Sequence, residues 1–184
     1  MKRMIMVLLL VSMFTGSIFA LDFSSASPAI DGAQYFLDVG IGIGLPPYAV
    51  KIPTISAAFT TMLDAVPMSI GGYVGFTSYG ETKDDNRTYS GRMYAIGARA
   101  NWHYTLTETL DTYIGISLGY LNWSEEFDPP LSMGSMDIHS WYYGEVFYGV
   151  VFGARYFFND DVGVFFELGY NAMSVASVGL TFKF

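Results

Sequence analysis

The sequence predicts an all-β fold: an eight-stranded antiparallel up-and-down transmembrane β-barrel. Three observations point to it. Apolar residues fill 52% of the 184 positions and charged residues only 14%, against roughly 25% charged in ordinary soluble domains. Yet after residue 20 no apolar run reaches the roughly 20 residues that a spanning helix needs. Instead, apolar side chains alternate with small or polar ones through eight segments, the period-two pattern of strands with one apolar face. The connections between these segments also differ at the two ends, short at one and longer at the other, as in barrels that cross a membrane.

The N-terminus reads as an export signal. Met1-Lys2-Arg3 precedes an apolar run from Met4 to Phe14, and Ser17-Ile18-Phe19-Ala20 follows. A basic start, a short apolar core and a small residue at the cut describe a cleaved secretory signal peptide over 1–20. Ile18 is unusual for the cut, which leaves cleavage after Ala26 open; a retained anchor helix is the weaker alternative. Residues 21–33 form a short periplasmic leader without periodicity, and the barrel domain covers 34–184.

The first strand spans about 34–44, with Leu37, Val39, Ile41 and Ile43 opposite Asp38, Gly40, Gly42 and Gly44; Pro46-Pro47 stops it. The second, about 52–63, has the weakest alternation, through Ile55, Ala57, Phe59, Thr61 and Leu63. After a tight turn at 64–67 the third, about 68–79, sets Ile70, Val74 and Phe76 against Ser69, Gly71, Tyr73, Gly75 and Thr77. The charged stretch 80–90 reads as a loop. The fourth strand, about 91–104, places Tyr94, Ile96, Ala98, Ala100, Trp102 and Tyr104 opposite Arg99, Asn101 and His103.

The fifth strand, about 111–123, opposes Ile114, Ile116, Leu118 and Tyr120 to Tyr113, Gly115, Ser117 and Gly119. Residues 124–141, with Glu125, Glu126, Asp128, Pro129-Pro130 and Asp137, read as the longest loop. The sixth strand, about 142–158, sets Val146, Tyr148, Val150, Phe152 and Tyr156 against Glu145, Gly149, Gly153 and Arg155. A turn at Asn159-Asp160-Asp161 leads to the seventh, about 162–170, and a brief connection to the eighth, about 175–184.

Charge placement decides which face points outward. The less apolar face carries Asp38, Arg99, Glu145, Arg155, Glu167 and Lys183, and Arg or Lys on a lipid-facing midplane costs about 2–4 kcal/mol. An eight-stranded barrel is just wide enough inside for its own side chains. Glycines, serines and an occasional Tyr73, Tyr113, Phe147 or Phe165 fit there, whereas eight rows of Leu, Ile and Phe do not. The apolar face therefore looks out, with Tyr94, Trp102, Tyr104, Tyr120, Tyr148, Tyr156 and Tyr170 at the membrane interfaces. The charged residues form a lumenal network, in which Arg155 pairs with Glu167 on the neighbouring strand and Lys183 with Asp38 across the closing strands.

The ending Val178-Gly179-Leu180-Thr181-Phe182-Lys183-Phe184 and the segment from Gly153 to Tyr170 resemble the closing strand and penultimate hairpin of small bacterial outer-membrane barrels of the OmpA/OmpX-like, porin-like eight-stranded type. The resemblance covers most of the chain after residue 33. It implies a cell outer-membrane location, both termini in the periplasm and outer-membrane lipid as the surrounding medium. It also implies that Leu180, Phe182 and Phe184 are read as an assembly signal by the barrel assembly machinery, after escort by periplasmic chaperones. It does not define an activity, because this fold hosts structural, adhesive, pore-forming and enzymatic proteins.

The residues themselves exclude several functions. The formal charge is −8, or −10 once Lys2 and Arg3 leave with the signal, which argues against nucleic acid. There is no cysteine, hence no thiol chemistry and no Cys-based metal site. No cofactor is expected. A Ser–His set needs the hydroxyl within reach of the ring and a carboxylate to orient it. His139 and Ser140 are adjacent, so on a strand they point apart, and the His-x-Ser pattern of a lipid A deacylase is missing; His103 reads as an interfacial or lumenal hydrogen-bonding residue. Glu125, Glu126, Asp128 and Asp137 lack the spacing of a calcium loop and read as a solvated acidic segment. The chain is therefore expected to be a structural or surface-interaction barrel with a closed polar lumen and exposed loops 80–90 and 124–141. The alternative is a narrow porin-like channel for small or apolar solutes, with an outer-membrane enzyme further behind.

Overall fold

The computed structural model describes residues 35–44, 50–64, 66–82, 88–105, 107–133 and 136–184. The expected signal peptide over 1–20, the expected leader over 21–33 and the side chain of His139 lie outside the described residues. Eight strands follow one another: β1 (Tyr35–Gly44), β2 (Val50–Met62), β3 (Met68–Thr82), β4 (Thr88–Thr105), β5 (Leu110–Met133), β6 (Met136–Phe157), β7 (Val162–Asn171) and β8 (Ser174–Lys183). Each pairs antiparallel with the next, and β1 pairs with β8, closing the barrel. At the seam the amide of Tyr35 donates to the carbonyl of Phe184 at 3.1 Å and the amide of Phe184 donates back at 3.0 Å.

Alternation sorts the side chains as the faces predict. Ile96, Leu118, Val146, Phe166, Val178 and Leu180 are exposed on the outside. Tyr73, Tyr113, Phe147, Phe165, Asp38, Arg99, Arg155 and Glu167 are buried inside. A protein that exposes aliphatic side chains on all eight strands and buries arginines is an inverted soluble fold, stable only where the outside is hydrocarbon. Glycine makes the crowded interior possible. A Cβ on Gly153 would lie 2.1 Å from Tyr113 Cζ, and one on Gly40 would lie 2.6 Å from Phe165 Cζ; each glycine provides the space for one lumenal ring.

The structure corrects the two long loops. Among the described residues, 80–82, 88–90, 124–133 and 136–141 are strand: β3 and β4 pair up to Thr82–Thr88, and β5 and β6 pair up to Met133–Met136. Above the membrane both faces of a ribbon meet water, so the apolar alternation that marks a strand disappears while the backbone ladder continues. Pro129-Pro130 also misled the reading, since proline has no donor for a ladder; the register of β5 against β6 shifts between Glu126 and Leu131 to pass them. β3 to β6 thus extend past the barrel wall as a protruding sheet. β6 pairs with β7 only from Gly149 to Phe157, so no β7 partner lies alongside it above Gly149.

Candidate functional site

The lumen is packed in three layers. Nearest the short turns, Phe36 and Phe157 form a buried apolar cluster with Met62 against them. Towards the protruding sheet, Ala58, Tyr73, Ala95, Leu121, Phe147, Ala172 and Met173 form a second, with Met93 and Trp123 packed on it. Between them lies the polar layer, which is the candidate site.

Two arginines organise this layer. Arg155, on β6, is fully buried. Its Nε donates to Asp38 Oδ1 at 3.1 Å, its Nη2 to Asp38 Oδ2 at 2.7 Å and its Nη1 to Asp111 Oδ2 at 3.1 Å. The fork geometry of guanidinium suits this bidentate grip on a carboxylate. Its Cζ also lies 4.6 Å from the centroid of Phe36 and 4.4 Å from that of Tyr113, so the cation is held between two ring faces as well. Arg99, on β4, pairs with Glu167 on β7, and the Tyr113 hydroxyl donates to the same carboxylate at 2.6 Å.

A hydrogen-bond relay joins the two centres. Arg99 Nε donates to Asn101 Oδ1 at 2.8 Å, and Asn101 Nδ2 donates to Ser69 Oγ at 3.2 Å. Ser69 Oγ stands 2.8 Å from His103 Nε2, and His103 Nδ1 stands 2.9 Å from Asp111 Oδ2. The ring thus bridges the serine hydroxyl and the Asp111 carboxylate, one nitrogen to each, and the tautomer sets which partner donates. Ser69, His103 and Asp111 stand in the order of a nucleophilic triad. Ser69 is 0% exposed and His103 2%, and Asp111 is shared with Arg155. In this setting the three residues act as links that satisfy buried polar groups.

The placement departs from the predicted pairing. Arg155 reaches across the lumen to Asp38 and sideways to Asp111, directly opposite it on β5, rather than to Glu167, which Arg99 takes instead. Asp38 pairs with Arg155, not Lys183, whose Nζ lies 4.7 Å over the Phe157 ring. The physical reasons are register and width: on β7 Glu167 sits opposite Gly153 and not Arg155, on β5 Asp111 sits opposite Arg155, and the narrow lumen brings Asp38 of β1 within reach. Glu145 lies on the inward row opposite Leu121, level with the upper apolar layer, but is exposed and takes no part in these pairs. Sequence reasoning missed Ser69, Asn101 and Asp111 as members. Asp111 opens a strand, where an aspartate looks like a turn residue; its inward parity with Tyr113 and Gly115 was the available signal.

These features define a class, the small eight-stranded outer-membrane β-barrel: a closed up-and-down sheet, an apolar outside, a charged interior and long strands at one end. Ail of Yersinia pestis superposes with a TM-score of 0.50 at 10% identity, over 82% of this chain and 95% of that one. Neisserial surface protein A gives 0.48 at 17%, over 83% and 96%. The N-terminal barrel domain of Pseudomonas aeruginosa OprF gives 0.45 at 12%, over 83% and 97%. No family model and no curated protein matches the sequence. The chain is a closed eight-stranded antiparallel barrel with an apolar outside, and the likeness to solved structures concerns its fold.

Proposed function

We propose that the protein is a closed surface barrel whose working part is the protruding sheet. The observation that supports this reading is the packing of the lumen: an ion-paired layer lies between two apolar clusters of buried side chains. A solute crossing it must break the bidentate Arg155–Asp38 pair and displace both clusters. Outside, the sheet offers the β6 edge above Gly149, flanked by exposed Trp141, Tyr142, Tyr143 and Tyr148. An edge with no strand partner among the described residues, beside large aromatic surface, suits capture of an extended segment as an added strand. Exposed Glu126, Asp128 and Glu145 favour a basic segment. In planar bilayers the purified barrel is expected to give no unitary conductance steps; steady, reproducible steps would favour a narrow channel instead.

The same proposal includes the assembly signal. Leu180 and Phe184 face outward, 49% and 64% exposed, and Phe182 shares their side of the strand. Deleting Phe184 removes both seam bonds to Tyr35 and the aromatic terminus. The truncated chain is expected to fall several-fold in outer-membrane level and to accumulate with periplasmic chaperones. Wild-type membrane levels would count against a signalling role for that residue.

A further inference from the structure

We propose that the outward wall of β2–β4 holds one phosphate-bearing lipid of the outer leaflet, with its phosphate on Arg92 and an acyl chain in a groove below. Arg92 is exposed and outward-facing on β4, two residues above Tyr94, whose ring is 50% exposed at the upper edge of the apolar belt. Among the described side chains it is the one basic group on the outer wall; Arg99, Arg155 and Lys183 all sit on inward rows. Its pairing partners on the two flanking strands are Ser78 and Ser124. Directly opposed residues share a face, so two hydroxyls flank the guanidinium. Guanidinium with neighbouring hydroxyl donors is phosphate-binding chemistry. Glu126 lies one pair higher, opposite Ser90, and leaves the membrane side of Arg92 clear.

Below, the belt is dented. A groove of about 500 Å³ runs along β2, β3 and β4, lined by Ala57, Phe59, Ile70, Gly72, Val74 and Ile96 among others. Gly72 forms part of its floor: a Cβ there would meet only the Gly97 carbonyl oxygen, at 3.8 Å. Ile96, at the groove, is four residues from Arg92, about 13 Å along the strand. That places the cation at head-group level and the groove at acyl level for a single amphiphile. A second barrel packed belt to belt fits less well, because between Tyr94 and Trp102 the described outward rows carry no carboxylate to meet Arg92.

The test uses the intact barrel in micelles, offered phosphatidic acid or diacylglycerol with the same chains, with retained lipid counted by native mass spectrometry. The wild type is expected to keep one phosphatidic acid about fivefold in preference to the diacylglycerol, the order of effect of one interfacial Arg. R92Q is expected to lose that preference. G72F, which fills the groove without a backbone clash, is expected to retain neither lipid while keeping the folded barrel's gel mobility. Glycerophosphate alone should not compete. Equal head-group preference in R92Q and wild type would overturn the proposal. So would unchanged retention in G72F, or a dimer that G72F abolishes and R92Q leaves intact.

Discussion

Replacing Arg155 with methionine is expected to destabilise the barrel by about 3–5 kcal/mol, the cost of stranding a buried charge. Methionine approximates the length of the side chain and fills much of its space, so the loss is electrostatic rather than a cavity. It leaves Asp38 without its bidentate partner and takes from Asp111 its bond to the guanidinium, both carboxylates being buried. Urea titration in lipid vesicles, with the folded fraction read from gel mobility, measures the change. Adding Asp38→Asn and Asp111→Asn should recover most of it, because removing a whole buried cluster is often close to neutral. A loss below about 1 kcal/mol for R155M alone would mean that water reaches the pair.

Leu118→Arg is expected to cost about 2–4 kcal/mol in the same assay. Leu118 is 62% exposed, and at such a position in a soluble protein a substitution stays within about 0.5 kcal/mol. The difference between these figures is the desolvation of a charge facing hydrocarbon. Asn122→Arg, exposed on the same row four residues higher, should cost no more than about 1 kcal/mol, as expected near an interface. Equal effects at the two positions would place Leu118 outside the membrane.

Where lipid lies on one side and packed lumen on the other, sequence alternation is strong, and the strand starts and ends near the short turns fall within two residues of those read from it. Pairing and length were harder to read. Alternation says that Arg155 points inward, but its partner depends on lumen diameter and strand stagger, neither of which leaves a local pattern. The extension of β5 to Met133 was hidden because Glu125, Glu126 and Asp128 lie above the belt, where no apolar face is needed. The Ser69–His103–Asp111 relay was hidden for a third reason. Its members stand on three strands, and a search for adjacent Ser and His looked to His139-Ser140 instead.

The Asp38–Arg155 pair joins the first strand to the sixth, 117 positions later, and the Arg99–Glu167 pair spans 68. Neither can form in a half-built sheet whose β1 and β8 have not met. Until closure Asp38, Arg99 and Glu167 must keep their own water, and Arg155 has only Asp111 on the adjacent strand, so an open sheet has a wet inner face that bars it from sinking fully into hydrocarbon. Closing the seam expels that water and pairs the charges in one event. Insertion and desolvation of the lumen are thereby tied together, and the last strand to arrive decides when the protein becomes a membrane-stable object.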